Sequence, residues 1–465
     1  MESPLLRQRH SFGKRGFRGV SEWAHYEIEE VIMAKKLWEK GIQTDAFIEE
    51  FTVGKDRELD LELAKHDVQG TIAHITMLES VGLLEKPELE DLIKELNTIQ
   101  EEIISKGKFE IEDGVEDVHS QIELMLTQKL GDIGKKIHSG RSRNDQVLVD
   151  VRLFLREQLE EIKTLTKELF TALIKQAETH KDVLMPGYTH TQAAMPSSFG
   201  LWFGAYAESL VDDVEILNGA YKVVNRNPLG SAAGYGSGFP LNRQMTSDLL
   251  GFESMVFNSV YAQMGRGKTE QVVASAMANL ASTLNKLAAD VCLYNSQNFQ
   301  FLKLPDELTT GSSIMPHKKN PDVFELLRAK TNVLMALPNQ IMMTLGNLTS
   351  GYHRDFQLLK ELLFPAIKDL KNCLKIVSYS VSKIEPTQDI LDDPKYKLIF
   401  SVEAVNELVV QGITFREAYQ QVAKKIEDGS FDPPKELKHT HEGSIGNLML
   451  DEIKERMERK TSNIE

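Results

Sequence analysis

Residues 269–297, "TEQVVASAMANLASTLNKLAADVCLYNSQ", are rich in Ala, Ser and Leu over several turns, with little charge on any side. A helix that is apolar nearly all round is buried on most sides, and small residues allow neighbouring helices to approach closely. Neither glycine nor proline occurs anywhere in residues 268–304. The stretch therefore predicts a long central helix of a bundle, and apolar character on several faces indicates oligomerisation.

A second uninterrupted run covers residues 142–185, again without glycine or proline. Its apolar residues recur near helical spacing with Glu and Lys between them. Patterns with the period of two that strands require are scarce, and "FQFLKL" at 299–304 is the best of them. We therefore predict an all-α protein built around a bundle of long antiparallel helices.

Three irregular segments interrupt the helical pattern, at 105–120, 225–243 and 382–394. The first leads into a helix, the second is a Gly-rich excursion between helices, and the third resembles a linker. Length alone favours about three domains. The predicted units are an N-terminal extension at 1–32, a helical domain at 33–141, the central bundle at 142–385, and a small C-terminal helical domain at 386–465.

Composition limits the possible functions. Hydrophobic content is 41%, charged content is 26%, and the net charge of −15 argues against a nucleic-acid partner. Two cysteines exclude a disulfide scaffold and indicate a reducing, cytoplasmic compartment. No apolar stretch of about 18 residues is present, so we expect no membrane span.

The first 32 residues contain five Arg or Lys before Glu22 against a single Glu. The segment lacks the apolar core of a secretory signal, although another kind of targeting peptide stays open. We expect a disordered basic arm or an upstream start, with a natural beginning at Met33.

Two patterns imitate nucleotide sites. "GRGKT" at 265–269 resembles a P-loop, but Ala262 stands where the first glycine belongs. The glycines at 230–238 do not match G-x-G-x-x-G, so a Rossmann fold is not expected. The histidines His190, His317 and His353 are dispersed, and we expect no metal site.

Four polar clusters lie at the ends of predicted helices. "HSGRSRNDQV" at 138–147 opens the first long helix, where free N–H groups favour anions; helix capping alone is the alternative. "PGYTHTQAAMPSS" at 186–198 places His190 among polar residues in a loop between helices. "SGYHRDFQ" at 350–357 is the third cluster.

The fourth cluster, "GSSIMPHKKNPDVFE" at 311–325, combines a flexible serine loop with lysines and a helix that starts at Asn320-Pro321. A hydroxyl is a very weak base, and it can abstract a proton only if a cation and a positive helix end stabilise the alkoxide. Lys318 and the helix start supply both. Glu325, one turn into the helix, could orient and charge a histidine.

This fourth cluster closely resembles the signature of the fumarate-releasing lyases, the fumarase/aspartase superfamily. Within it, "HSGRSRNDQV", "MPGYTHTQAAMPSSFG" and "NPLGSAAGYG" resemble the argininosuccinate lyase family, as do "KKLWEKG" and "KHDVQGTIAH". The resemblance covers roughly residues 33–440. It implies a three-domain helical fold, a homotetramer with active sites shared between subunits, and cleavage of argininosuccinate to arginine and fumarate by β-elimination without a cofactor.

The resemblance also implies roles for individual residues. Ser312 would be the base, Lys318 would stabilise the carbanion, and His190 paired with Glu325 would serve the acid side, with base and acid open to exchange. The implied substrate-binding residues are Ser142, Arg143, Asn144, Thr189, Asn320, Tyr352, Gln357 and Lys360, together with Asp56.

The sequence departs from the family pattern at several positions. Asp56 stands where a serine is usual, and His353 replaces an Asn. His317 also occurs in adenylosuccinate lyases, so that enzyme stays an alternative, although "RSRND" argues against it. A catalytically silent structural protein on the same fold is the other alternative.

Overall fold

A computed structural model describes residues 46–434 and 437–462. The predicted extension at 1–32 and the start at Met33 lie outside the described residues. The fold is dominated by helices, as the sequence predicts. Their bounds are α1 Ala46–Val53, α2 Asp56–Asp60, α3 Ala64–Ser80, α4 Lys86–Thr98, α5 Val118–Leu130, α6 Asp132–Lys135, α7 Arg143–Thr179, α8 Phe199–Val224, α9 Arg243–Leu249, α10 Ser259–Met264, α11 Lys268–Tyr294, α12 Asp322–Thr344, α13 Leu358–Val381, α14 Ser401–Val410, α15 Phe415–Glu427 and α16 Leu450–Thr461.

The strands are short and pair in twos. They are β1 Leu184–Thr189 with β2 Gln192–Ser198, β3 Arg226–Asn227 with β4 Ser254–Met255, β5 Leu302–Lys303 with β8 Glu385–Pro386, and β6 Thr310–Gly311 with β7 Lys319–Asn320. The β3–β4 pair is parallel and the other three are antiparallel.

Helices α7, α8, α11, α12 and α13 pack together as the central bundle. Consecutive helices run antiparallel, which the contacts between them show. Near the start of α8, Trp202 and Tyr206 donate hydrogen bonds to Asp290 near the end of α11. Asn285 of α11 in turn donates to the Thr331 hydroxyl, in the first half of α12. The bundle therefore has two ends, each carrying the loops of several helices.

One large hydrophobic core runs through the bundle and continues into α3, α4 and α5. Buried residues of α11 include Leu280, Leu284 and Leu287, as the apolar stretch at 269–297 predicts. A separate small core lies under α14 and α15, while α16 packs on α8. Among the described helices, none is both long enough and apolar enough to cross a bilayer.

The segment at 186–198 differs from the sequence expectation. It forms most of an antiparallel hairpin, β1–β2, rather than a plain loop between helices. Its prolines, Pro186 and Pro196, face each other across the ladder, and a bulge follows at Gly187/Tyr188. Pro weakens any strand pattern in a sequence, which explains why the hairpin was not predicted.

Elsewhere the observed elements differ little from the expected helices and loops, and the division into domains stays a prediction. The run at 268–304 is helical only to Tyr294, where "NSQN" ends the helix. The segment at 225–243 is a Gly-rich excursion, and 105–120 leads into α5. Pro321 is the residue just before α12 rather than within its first turn.

Candidate active site

The predicted site residues fall into two groups at opposite ends of the bundle. The hairpin end carries the β1–β2 hairpin, which joins the end of α7 to the start of α8, and the loop before α12. The Arg143 end carries the start of α7 and the loop between α12 and α13. Helix α7 has 37 residues, so it is about 55 Å long at 1.5 Å per residue.

His190 occupies the tip of the β1–β2 hairpin. Thr189 pairs with Gln192, and the two residues between them, His190 and Thr191, have φ values of 52° and 61°. Two successive positive φ values are typical of a type I′ hairpin turn, which usually contains Asn-Gly. Positive φ is a rare conformation for a β-branched residue. The exposed imidazole is therefore held on a strained backbone.

The hairpin rests on an aromatic cluster. The Tyr188 ring lies 5.6 Å from Phe299 and 6.3 Å from Phe301, centroid to centroid, and its hydroxyl is 3.4 Å from the hydroxyl of Tyr396. Burial, with the second hydroxyl nearby, raises the pKa of Tyr188. Its phenol therefore stays neutral and anchors the strand that leads to His190.

The Ser312 loop is clamped at its base. Gly311 pairs with Lys319 across β6–β7, so residues 312–318 project as a closed loop. Of the two adjacent lysines, Lys319 forms an ion pair with Asp306 and so helps to hold the base of the loop. The tip residue Ile314 is 83% exposed. An exposed apolar tip on a clamped base suits a loop that closes over a substrate.

Within that loop, the Ser312 hydroxyl oxygen accepts hydrogen bonds from the backbone amides of Ile314 and Met315, at 3.4 Å and 3.1 Å. Donors aimed at an oxygen favour its charged form. The half-buried Ser312 thus has two backbone donors that would stabilise an alkoxide.

Lys318 and Glu325 are exposed near the start of α12, while Asn320 is half-buried. In the described part of the chain, no hydrogen bond or ion pair joins Glu325 to His190. The same holds between Lys318 and any carboxylate. Both charged groups are therefore available to a substrate or to a second subunit.

At the Arg143 end, capping accounts for part of the "RSRND" cluster. Ser142 is the N-cap of α7 and accepts from the Asn144 amide at 3.3 Å, while its own amide donates to Asp145 at 2.8 Å. The second Asp145 oxygen accepts from the amides of Gly230 and Ala232. Asp145 therefore ties α7 to the Gly-rich excursion, and capping leaves Arg143 and the Asn144 side chain unexplained.

Arg143 is half-buried among acidic groups. Its NH1 lies 3.3 Å from both Glu116 and Asp117, and Arg354 approaches Glu116 at 3.2 Å. Arg354 also donates to the Thr52 carbonyl. These contacts join the start of α7, the loop before α5, α1 and the 350–357 segment into one surface.

Four further predicted residues lie beside that surface. The Lys360 ammonium is 2.8 Å from Asp56 and also bonds Asp60. Gln357 donates to the carbonyls of Thr52 and Val53, and the Tyr352 ring packs on Phe356. The structure thus brings together Asp56, Tyr352, Gln357 and Lys360 with Ser142, Arg143 and Asn144, although about 300 residues of sequence separate α2 from α13.

Sequence analysis missed the polar layer beneath this surface. His119 donates to Asp67 at 2.8 Å and lies 3.4 Å from Asp150, and Gln146 donates to Asp67 at 2.6 Å. Burial raises the pKa of Asp150 well above its usual range. Burial by itself would lower the pKa of His119, but the neighbouring Asp67 carboxylate has the larger effect and raises it. Asp67 lies in "KHDVQGTIAH", and the resemblance of that segment to the argininosuccinate lyase family was the one sequence signal that pointed to this buried layer.

Among the described residues, Asp67, His119 and Asp150 form a group whose ligand atoms lie within 4.8 Å of one another. The buried Arg141 guanidinium already opposes their charge. Because Arg141 and the charged His119 already place positive charge beside these carboxylates, a cation there would be repelled, and the group does not favour a metal.

The "GRGKT" segment is the short connection between α10 and α11. A helix precedes it, and a side chain at Gly267 would meet Leu345 at 2.4 Å. The buried Arg266 instead donates to Glu270 at 2.6 Å. A phosphate loop follows a strand, whereas here helix α10 directly precedes the segment.

The fold recurs in solved structures of other proteins. EDDS lyase in complex with formate superposes with a TM-score of 0.70 at 24% identity, covering 90% of each chain. The fumarate lyase:delta crystallin from Brucella melitensis gives 0.67 at 17% identity, covering 87% of this chain and 91% of the other. A family model described as "Lyase" matches residues 38–335.

A long-helix bundle with polar clusters at both ends, together with this family match, defines a lyase of the fumarase/aspartase superfamily. Sequence relatives narrow the class. Argininosuccinate lyase of Bacteroides thetaiotaomicron is 63% identical over 427 residues, which is 92% of this chain and 96% of that protein. The enzyme of Thermotoga neapolitana is 40% identical over 84% of this chain and 98% of its own length. The chain belongs to the argininosuccinate lyase family.

Proposed function

We propose that the protein is a carbon–nitrogen lyase that cleaves argininosuccinate to arginine and fumarate in arginine biosynthesis. Relatives of that name at 63% identity support it. The structural observation that carries the chemistry is the Ser312 hydroxyl, which accepts two backbone N–H bonds in a clamped loop. Lys318, exposed at the other end of the same loop, would add the cation that an alkoxide needs.

The elimination begins at the succinyl Cβ. Ser312, as alkoxide, takes the Cβ proton, and the electron pair left on carbon delocalises into the neighbouring carboxylate. Lys318, assisted by Asn320, stabilises that growing negative charge. The pair then forms the C=C bond of fumarate while the bond between Cα and the guanidino nitrogen breaks.

The leaving nitrogen takes the pair from the broken bond and needs a proton. His190 supplies it, and Glu325 orients the imidazole and favours its charged form. Within one chain these two residues form no hydrogen bond or ion pair in the described structure, so the pair forms when the tetramer assembles. The exposure of both side chains is compatible with that assembly.

Substrate binding uses both ends of the bundle. Ser142, Arg143, Asn144 and Thr189 hold the succinyl carboxylates, for which the N–H groups at the start of α7 are suited. The arginine end lies beside the residues of α2, α13 and the segment before it. These are Asp56, Tyr352, Gln357 and Lys360.

We propose a homotetramer in which each active site combines segments from different subunits. Helix α12, with 23 residues, alone separates Asn320 from Tyr352 by about 35 Å, too far for one substrate to touch both. Exposed apolar residues on α12 support burial against other subunits; they are Leu326, Val333, Met342 and Met343. Two free cysteines, Cys292 and Cys373, support a cytoplasmic location.

Fumarate release tests the function. Purified protein is offered argininosuccinate and adenylosuccinate in parallel, and fumarate is followed by ultraviolet absorbance. We expect fumarate from argininosuccinate alone. Fumarate from adenylosuccinate alone would mean that the protein is an adenylosuccinate lyase. No fumarate from either substrate would favour a structural role.

A further inference from the structure

The ion pair between Asp56 and Lys360 determines which of the two can reach a ligand. The Lys360 side chain is 6% exposed, and its ammonium is engaged by Asp60 and, at 2.8 Å, by Asp56. The Asp56 side chain is 18% exposed. The carboxylate therefore lies nearer to solvent than the ammonium does.

The local charge also favours a cationic ligand. Lys360 faces two carboxylates, and the nearby Arg266 is paired with Glu270 at 2.6 Å. Three carboxylates thus oppose two cations in this cluster. Burial lowers the pKa of Lys360, but Asp60 and Asp56 outweigh burial and raise it, so the lysine stays charged and paired.

Because the Lys360 side chain is 6% exposed and its ammonium already pairs with Asp56 and Asp60, a ligand carboxylate would bind it mainly in exchange for Asp56, the more exposed of the two. That exchange leaves Asp56 half-buried without its cation, and breaking a buried pair from one side costs several kcal/mol. A ligand ammonium, by contrast, could bind the exposed part of Asp56 while Lys360 stays in place. Hydrogen bonds between charged groups are the stronger kind.

The arginine end of argininosuccinate carries both an α-ammonium and an α-carboxylate. Given the proposed lyase function, on which this inference rests, we propose that Asp56 recognises the α-ammonium of that end. Lys360 is then a positioning residue that holds the Asp56 carboxylate rather than a direct ligand. The specificity of this subsite is therefore for a primary ammonium group.

Product inhibition separates the two assignments. The probes are L-arginine, agmatine, which keeps the amine but lacks the carboxylate, and Nα-acetyl-L-arginine, which keeps the carboxylate but lacks the charged amine. We expect agmatine to inhibit about as well as arginine and the acetylated compound to inhibit at least tenfold more weakly. Asp56→Asn should weaken arginine and agmatine by about 10- to 100-fold, the range for a hydrogen bond between charged groups.

Two controls accompany these variants. Glu58→Gln removes the same charge from an exposed position on the same helix, so inhibition should not change. Inhibition by fumarate, the other product, should also be unchanged in Asp56→Asn. Asp56→Ser is a second way to remove the same carboxylate. Thermal unfolding of each variant then distinguishes lost recognition from lost folding.

The positioning role of Lys360 has its own readout. Lys360→Met removes the cation that lowers the pKa of Asp56, so the pH below which agmatine binding is lost should move upward. A purely structural role would lower activity at every pH alike. Asp60 and Arg266 also face Asp56 and stay constant in this comparison.

Several outcomes would overturn the inference. If acetyl-arginine inhibits well and agmatine does not, Lys360 binds the carboxylate directly. Unchanged or stronger arginine inhibition in a folded Asp56→Asn enzyme leads to the same conclusion. If the unaltered protein releases no fumarate from argininosuccinate, the lyase proposal itself fails, and this inference fails with it.

Discussion

The hydroxyl oxygen of Ser312 accepts a hydrogen bond from the backbone amide of Met315 at 3.1 Å. This contact places a weak acid in a turn whose N–H groups stabilise its anion before any substrate arrives. Removing the hydroxyl should therefore remove the base without disturbing the loop, because the β6–β7 clamp lies outside it.

Ser312→Ala should bind argininosuccinate with nearly unchanged affinity and lose turnover by about 10²- to 10⁴-fold, the usual contribution of a general base. Binding is measured by calorimetry and turnover by fumarate absorbance. Ser313→Ala, one residue along the same loop, is the matched control and should keep most activity. Near-normal turnover in Ser312→Ala would remove Ser312 from the base role.

The bundle holds Ser312 and Arg143 at its opposite ends. This separation predicts that inactive variants of the two residues complement each other in a mixed oligomer. Ser312→Ala and Arg143→Gln damage opposite ends of the chain, so each should be nearly inactive alone. Mixed in equal amounts and reassembled, they should recover roughly a quarter of the sites. Each site takes an intact Ser312 loop about half of the time and, independently, an intact Arg143 segment about half of the time.

The control for complementation mixes Ser312→Ala with Lys318→Met. Both lesions lie in one loop, so no site can draw an intact loop from either subunit, and no recovery is expected. If the first mixture also stays inactive, the Ser312 loop and Arg143 do not contribute to one shared site.

Asp56 predicts a pH dependence of arginine binding. Burial raises the pKa of Asp56 to about 6, against the opposing effect of Lys360. The carboxylate is charged above that pH and becomes neutral as the pH falls through it. Inhibition by arginine should therefore weaken below pH 6, and this step should be absent in Asp56→Asn.

His66 predicts a loss of stability in acid. Burial lowers the pKa of His66 to about 4, so at neutral pH its Nε2–H donates to Glu157 as an uncharged group. Unfolded chains bind the proton near pH 6.5 and the folded chain only near 4. The unfolded state thus gains protons first, and the free energy of unfolding should fall as pH drops from 6.5 to 4, by about 3 kcal/mol.

Urea unfolding at several pH values, at one protein concentration, checks this. His66→Gln should reduce the slope between pH 4 and 6.5, whereas His441→Gln, at an exposed position, should not change it. Burial of His74 and His138 lowers their pKa values to about 3 and about 4, so the parts of the slope that these two residues contribute should remain. An unchanged slope in His66→Gln would mean that other groups carry the acid sensitivity.

Relieving the backbone strain at the hairpin tip should raise stability and lower activity. Thr191 holds a positive φ of 61°, and such strain costs about 1 to 3 kcal/mol in a residue with a branched side chain. Thr191→Gly should therefore stabilise the protein by about 1 kcal/mol in thermal unfolding. The looser tip should lower turnover, because His190 loses its fixed position.

Gln192→Gly is the comparison variant, since Gln192 begins strand β2 on the exposed side. There glycine relieves no strain and should destabilise the hairpin. Equal stability changes in both variants would contradict the strain assigned to Thr191.

Much of this molecule follows from the sequence alone. Runs without glycine or proline marked α7 and α11, because helix formation depends on local backbone freedom and on apolar spacing within a few turns. The cluster at 311–325 pointed to Ser312 and Lys318 for a similar reason, since the residues that we propose act together there are neighbours along the chain.

Only the tertiary structure decided the rest. The β1–β2 hairpin forms against Phe299 and Phe301, over a hundred residues away, and that packing overrides the prolines that weaken its strand pattern. The pairing of Asp56 with Lys360, and the placement of Ser312 and Arg143 at opposite ends of a bundle, depend on which helices pack together. Such contacts join distant parts of the chain, and their energy comes from burial and charge pairing that no local pattern records.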